Sequence, residues 1–280
     1  MMWSRVATKR LGIRCIRGWR LDSKVERANG APMKTLPGNC RVFSADDGQR
    51  TTEGNCSVRG VVSSAQGARH ITQAVLEYAL GRSQTLVNPQ AECVLYIIEG
   101  HGACRIDGGR YAISPGTAVF LPPGSEYSIE NIGPGRIVAL ASCCPEDAAR
   151  SLVENPKSPS GPAKRLTVHE NERQVLRAGK DREFRYLVQT DLGCRHITQF
   201  VGLIPRGKAP FHFHEYEEVI YILQGCGVVH LDKASCEFEA GCSIYFPKGV
   251  RHCVENTTDV PIRLLGVFYP SGSPGAAYED

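Results

Sequence analysis

The segment Pro210-Phe211-His212-Phe213-His214-Glu215-Tyr216-Glu217-Glu218 places two histidines and several carboxylates just ahead of the apolar run Val219 to Leu223 and the turn residue Gly225. On an extended chain, residues two apart share a face, so His212, His214 and Glu218 point to one side together with Tyr216, Ile220 and Ile222. Two imidazoles and a carboxylate on a buried face are costly without a partner, and a divalent cation satisfies all three. A fourth donor, His252, follows in Gly241-x5-Pro247-x-Gly249-x2-His252-x3-Asn256, where a Pro-Gly turn feeds a strand. Three neutral imidazoles and one carboxylate on a divalent ion leave a charge of about +1 and open coordination positions. Such a centre suits an anionic, chelating small molecule or O₂ chemistry. Structural zinc, by contrast, favours closed sites often rich in thiolate.

The elements that must hold these residues are strands. Helical periodicity is scarce, whereas short runs of Val, Ile, Leu, Tyr and Phe are cut by Gly, Pro, Asn and Asp, an all-β pattern. The chain also repeats itself. Arg69-His70-Ile71-Thr72-Gln73 returns as Arg195-His196-Ile197-Thr198-Gln199, a shift of 126 positions. Farther along the shift settles at 125: Gly100 falls on Gly225, Gly102 on Gly227, Asp107 on Asp232, Gly116 on Gly241, Pro122 on Pro247, Gly124 on Gly249 and Asn131 on Asn256. What persists is turn chemistry, so the two halves are expected to share one backbone path, a β-barrel or sandwich in two copies.

Taken together, HxHx3Ex6G (His212, His214, Glu218, Gly225) and Gx5PxGx2Hx3N (Gly241, Pro247, Gly249, His252, Asn256) resemble the two signature motifs of the cupin superfamily, with every defining position filled. The resemblance covers about residues 85 to 145 and 195 to 270. It implies an all-β bicupin, two tandem jelly-roll (double-stranded β-helix) barrels, with one divalent metal ion per chain held by His212, His214, Glu218 and His252. Iron or manganese is favoured, and the same donors accept nickel, cobalt or zinc. The repeat supplies a control: Val87, Pro89, Cys93 and Tyr127 stand at the four ligand positions of the first barrel, which is therefore expected to hold no metal.

The expected organisation is an extension at 1–32, a degenerate N-terminal barrel at 33–153, a linker at 154–164 rich in Pro and Ser, and a metal-binding C-terminal barrel at 165–280. Arg5, Lys9, Arg10, Arg14, Arg17 and Arg20 precede the first acid, Asp22, so the net charge of +4 is confined to the start of the chain. That distribution argues against a nucleic-acid surface. The segment reads as a transit sequence or as residues ahead of an alternative start at Met33. No apolar run approaches the roughly 18 residues of a spanning helix, and there is no secretory h-region. The twelve cysteines are scattered, with no CxxC pair, and are expected to be small buried side chains of a reducing cytoplasm without a disulfide framework.

The expected function is a metal-dependent oxidoreductase, dioxygenase-like, acting on a small anionic, phenolic or enolic molecule. Glu218 is the candidate catalytic carboxylate, and Tyr216, Ile220, Ile222, Ile244 and Phe246 the candidate substrate walls by strand parity. The alternatives are a non-oxidative isomerase, decarboxylase or aminohydrolase, and a small-molecule-binding module without turnover. Arg206, Lys208, Lys248 and Arg251 lie in loops beside the ligands and read first as solvated charge. His70 and His196 read as structural. Exposed sheet edges make self-association into a homo-oligomer an expectation.

Overall fold

The structure, a computed structural model, describes residues 25–26, 33–145, 150–159, 164–179 and 181–275. Two jelly-roll barrels follow from the repeat, each built from one large and one small antiparallel sheet. In the C-terminal barrel the large sheet runs Leu176–Ala178, Arg182–Val188, Thr198–Ile204, Ile262–Tyr269, Glu217–Gln224, Ser243–Phe246, and then Arg41–Phe43 and Lys34–Thr35. The small sheet carries Ala234–Glu239, Cys226–Leu231, His252–Asn256 and Gly207–Lys208. Among the described residues no helix is long and apolar enough to cross a membrane.

The large sheets of the two barrels pack on each other. Their central strands are therefore buried on both faces, which is why they read as continuous apolar runs rather than alternations. In Glu217–Gln224, Val219 and Tyr221 join the core shared with the first barrel, whereas Ile220 and Ile222 point into the second barrel. Leu265 and Val267 against Leu264 and Phe268 divide in the same way on the neighbouring strand.

The strand pairing crosses the boundaries expected from the sequence. Arg41–Phe43, assigned on sequence to the first barrel, pairs with Ser243–Phe246 of the second. Thr167–His169, assigned to the second, pairs with Thr117–Leu121 of the first. The exchange is reciprocal: each barrel lends its leading strand to the other, covering an edge that would otherwise expose unpaired backbone. Of the extension at 1–32, Val25–Glu26 lie parallel to Ala234–Glu239. Its other residues, and 160–163 of the linker, lie outside the described residues. The described start of the linker follows the first barrel, where the Lys157 amide donates to Glu126 Oε2 at 2.7 Å.

One expectation about cysteine is corrected. Cys93 and Cys143 face each other across adjacent strands and form a disulfide. Their spacing of 50 residues carries no local signal, because the contact is made by the sheet. The other described cysteines are free, and all but Cys226 are buried.

Candidate metal centre

His212, His214 and His252 meet at the interior of the C-terminal barrel, with one ring nitrogen from each lying within 4.8 Å of the others. The backbone that brings them together is less regular than alternation predicts, since the strand begins only at Glu217. Ahead of it, His212 and His252 form an isolated antiparallel bridge, His212 N to His252 O at 3.0 Å and His252 N to His212 O at 2.8 Å. Gly249 N then donates to His214 O at 2.8 Å, from a φ of +77° that favours glycine. These pins replace a continuous strand and still leave both histidines facing inward.

The ring nitrogens are sorted by the backbone. His212 Nδ1 donates to Pro210 O at 3.1 Å and His252 Nδ1 to Val250 O at 2.9 Å, leaving each Nε2 with its lone pair for the site. Aromatic neighbours fix the ring planes. Phe246 stacks on His252 at 3.9 Å, and Tyr216 stacks on His214 at 5.0 Å while its hydroxyl donates to Ser273 O.

Glu218 completes the set. Its Oε2 lies 3.5 Å from His214 Nε2 and 3.4 Å from His252 Nε2, is buried, and has no well-formed hydrogen bond. An ionised carboxylate oxygen left in this state in a protein interior calls for a cation. Burial alone would raise the Glu218 carboxyl pKa, but the imidazoles of His214, His252 and His212 more than offset it and hold it below the usual value. Burial, and then repulsion from His252, pulls His212 down to about 4, and burial lowers His214. Near neutral pH His212 and His214 therefore present lone pairs and Glu218 a negative charge, the donor state that a divalent metal requires. Three imidazole nitrogens within 4.8 Å of one another, with a carboxylate oxygen beside two of them, fit such an ion.

The donors open onto a cavity of about 70 Å³. Of the wall residues expected from parity, Ile220 and Phe246 line it. Ile222 and Ile244 are fully buried in the core behind it, and Tyr216 buttresses His214. Sequence reasoning missed Phe184, Phe200, Leu264, Phe268 and the buried Arg182, which also line it. They stand on strands far from the motifs and carry no local signature. The four loop cations near the ligands are engaged elsewhere. Arg206 pairs with Asp259, Lys248 with Glu215 and Arg251 with Asp232, while Lys208 lies over the Phe211 ring. The positions in the first barrel that correspond to the ligands hold Val87, Pro89, the disulfide-bonded Cys93 and the buried Tyr127. Among the described residues, no second group of three metal-ligating side chains gathers.

Known proteins agree with this architecture. The cupin domain family matches residues 199–268, and the AraC-like ligand binding domain family matches residues 89–182. Oxalate decarboxylase from Bacillus subtilis superposes with a TM-score of 0.67 at 16% identity, covering 81% of this chain and 75% of that one. The chain shares that enzyme's two-barrel jelly-roll fold. Another structure of the same bacterial enzyme, studied for its Mn(II) centres, gives a TM-score of 0.69 at 16% identity over 83% of this chain and 78% of that one. Among curated proteins, this chain is 39% identical over 71 residues to an uncharacterized protein of Methanocaldococcus jannaschii, and 37% identical over 62 residues to Protein SchB of Streptomyces halstedii. Those matches cover 25% and 22% of this chain, and 57% and 45% of the relatives' own lengths.

Proposed function

We propose that the C-terminal barrel is the catalytic centre of a metal-dependent enzyme, of dioxygenase type, acting on a small enolate, phenolate or carboxylate with manganese or iron as its cofactor. The observation that carries the reading is Glu218 Oε2, buried without a hydrogen bond beside two imidazole nitrogens and at the wall of an apolar cavity. A divalent ion at these four donors would polarise a chelating oxygen donor and template the substrate and O₂ side by side.

The chain's own residues supply the rest. Phe184, Phe200, Phe246 and Phe268 exclude water from the small cavity, which strengthens electrostatic interactions inside it. Arg182, buried and anchored to Val254 O at 3.2 Å, gives that cavity a fixed positive wall suited to an anionic substrate. Glu218 is the one buried carboxylate among the lining residues, and so the group able to accept a proton there.

A second reading keeps the same centre but runs a non-oxidative reaction, decarboxylation or isomerisation. The likeness in fold to a manganese-containing decarboxylase favours it. Protein purified anaerobically, analysed for metal and then offered small enols, phenols and carboxylic acids in an oxygen electrode separates the two. Substrate-dependent O₂ uptake supports the oxygenase, product without O₂ supports the second reading, and tight binding with no product under either condition refutes both.

A further inference from the structure

The repeated Arg-His-Ile-Thr-Gln segment is not used by the metal centre, yet the structure gives it a partner in each barrel. The amides of Arg69 and His70 donate to Glu217 Oε1 and Oε2, both at 2.9 Å. The amides of Arg195 and His196 donate to Glu92 Oε1 and Oε2 at 2.9 and 2.8 Å. Glu92 and Glu217 occupy repeat-related positions, so each barrel grips the same turn of the other with one buried carboxylate. Such two-point, charge-assisted bonds fix direction as well as distance. The grip uses backbone amides, and the Arg and His side chains themselves are exposed.

The two grips differ in the neighbour each gripping carboxylate has along the chain. Cys93 is next to Glu92, whereas Glu218 is next to Glu217. Adjacent residues on a strand point to opposite faces, so Glu217 reaches the first barrel while Glu218 reaches the metal site. Glu217 is also the first residue of its strand, directly after the irregular stretch that carries His212 and His214. Its carboxylate takes a third bond, from Tyr245 Oη at 2.7 Å, and Tyr245 directly precedes Phe246, the ring stacked on His252.

We infer that Glu217 is a positioning residue: by clamping the first barrel's Arg69-His70 turn it fixes the start of the strand that carries Glu218, making the first barrel a structural support for the affinity of the metal centre in the other. This rests on the C-terminal barrel being a metal site. Glu92→Gln is the matched control, since it breaks the equivalent grip away from the ligands.

Mn(II) affinity of the full-length protein is measured by calorimetry for wild type, Glu217→Gln and Glu92→Gln, with thermal unfolding of the metal-free forms alongside. Both variants should unfold at lower temperature. Glu217→Gln should bind Mn(II) about tenfold more weakly, in the range for residues that orient metal ligands, and Glu92→Gln should bind as wild type. Equal affinities for all three, or equal losses in both variants, would overturn the assignment and leave the metal centre standing. Wild-type protein that takes up no Mn(II) would overturn the metal reading and this inference with it. Tyr245→Phe, which strips one bond from the same carboxylate, serves if Glu217→Gln does not fold and should show a smaller loss in the same direction.

Discussion

The two barrels share a strand order, their turns and a reciprocal grip, and differ in what their interiors hold. Where the second places Glu218 and His252, the first places Cys93, bonded to Cys143, and Tyr127. Where the second opposes Phe200 with Gly266, the first opposes Ala74 with Ala141. Turn residues are held by backbone geometry that both copies need, whereas inward side chains are free to change as long as the barrel stays filled. One backbone therefore supports a polar, ligand-ready interior in one half and a disulfide-linked, apolar one in the other.

The largest contrast between the halves should be in metal. His212→Ala or Glu218→Ala is expected to weaken Mn(II) binding by more than about 100-fold, beyond the span seen for residues that only orient ligands, and to abolish turnover. Tyr127→Phe should leave bound metal, read by elemental analysis, unaltered. Metal lost in the Tyr127 variant would show that the first barrel takes part.

Packing should separate the halves next. A Cβ at position 266 would lie 2.1 Å from Phe200 Cζ, a ring that lines the cavity. Gly266→Ala is therefore expected to cost about 1–3 kcal/mol by overpacking and to perturb substrate binding. An unchanged melting temperature and unchanged KM would mean that Phe200 moves aside freely.

The buried glutamines offer a finer test. Gln73 accepts from Ser243 Oγ at 2.7 Å and lies opposite Ser142. Gln199, its repeat partner, lies opposite Val267 and has no hydrogen bond to its buried amide. Gln73→Leu should cost about 1–3 kcal/mol by leaving Ser243 without its acceptor, while Gln199→Leu should be neutral or stabilising in denaturant unfolding. The reverse order would place a bound partner on Gln199.

The smallest effect concerns thiols. Burial pushes Cys104 up to about 12 and Cys56 up to about 11, so at pH 8 neither carries appreciable thiolate in the folded protein. Among the described cysteines, iodoacetamide at that pH should spare both and label the half-buried Cys226 first, as peptide mapping would show. Reactivity of both would set in only as pH rises towards those values. Early labelling of Cys104 would mean that the first barrel opens.

Much of the centre was legible before folding because its information is local. His212, His214 and Glu218 sit within seven residues, and His252 follows a Pro-Gly turn whose geometry needs glycine at 249. The offset between the halves exposed the second copy and the different residues, Val87, Pro89, Cys93 and Tyr127, that the first carries at the donor positions. The continuous strand expected through His212 was not found, because a single bridge and one turn hydrogen bond are enough to aim two side chains inward. Ile222 and Ile244 share the parity of the cavity residues but lie deeper, and parity carries no depth.

Residue types and short spacings thus determined the donor set, the strand-rich class and the duplication, since each depends on alternation and turn chemistry within a few residues. Tertiary structure alone decided that Arg41–Phe43 completes the opposite barrel, that Arg182 and Phe200 line the cavity beside the donors, that Cys93 meets Cys143, and that Glu217 grips amides 147 and 148 residues away. Those contacts arise from how two sheets pack face to face, and the strands involved carry no local mark of the partner they will meet.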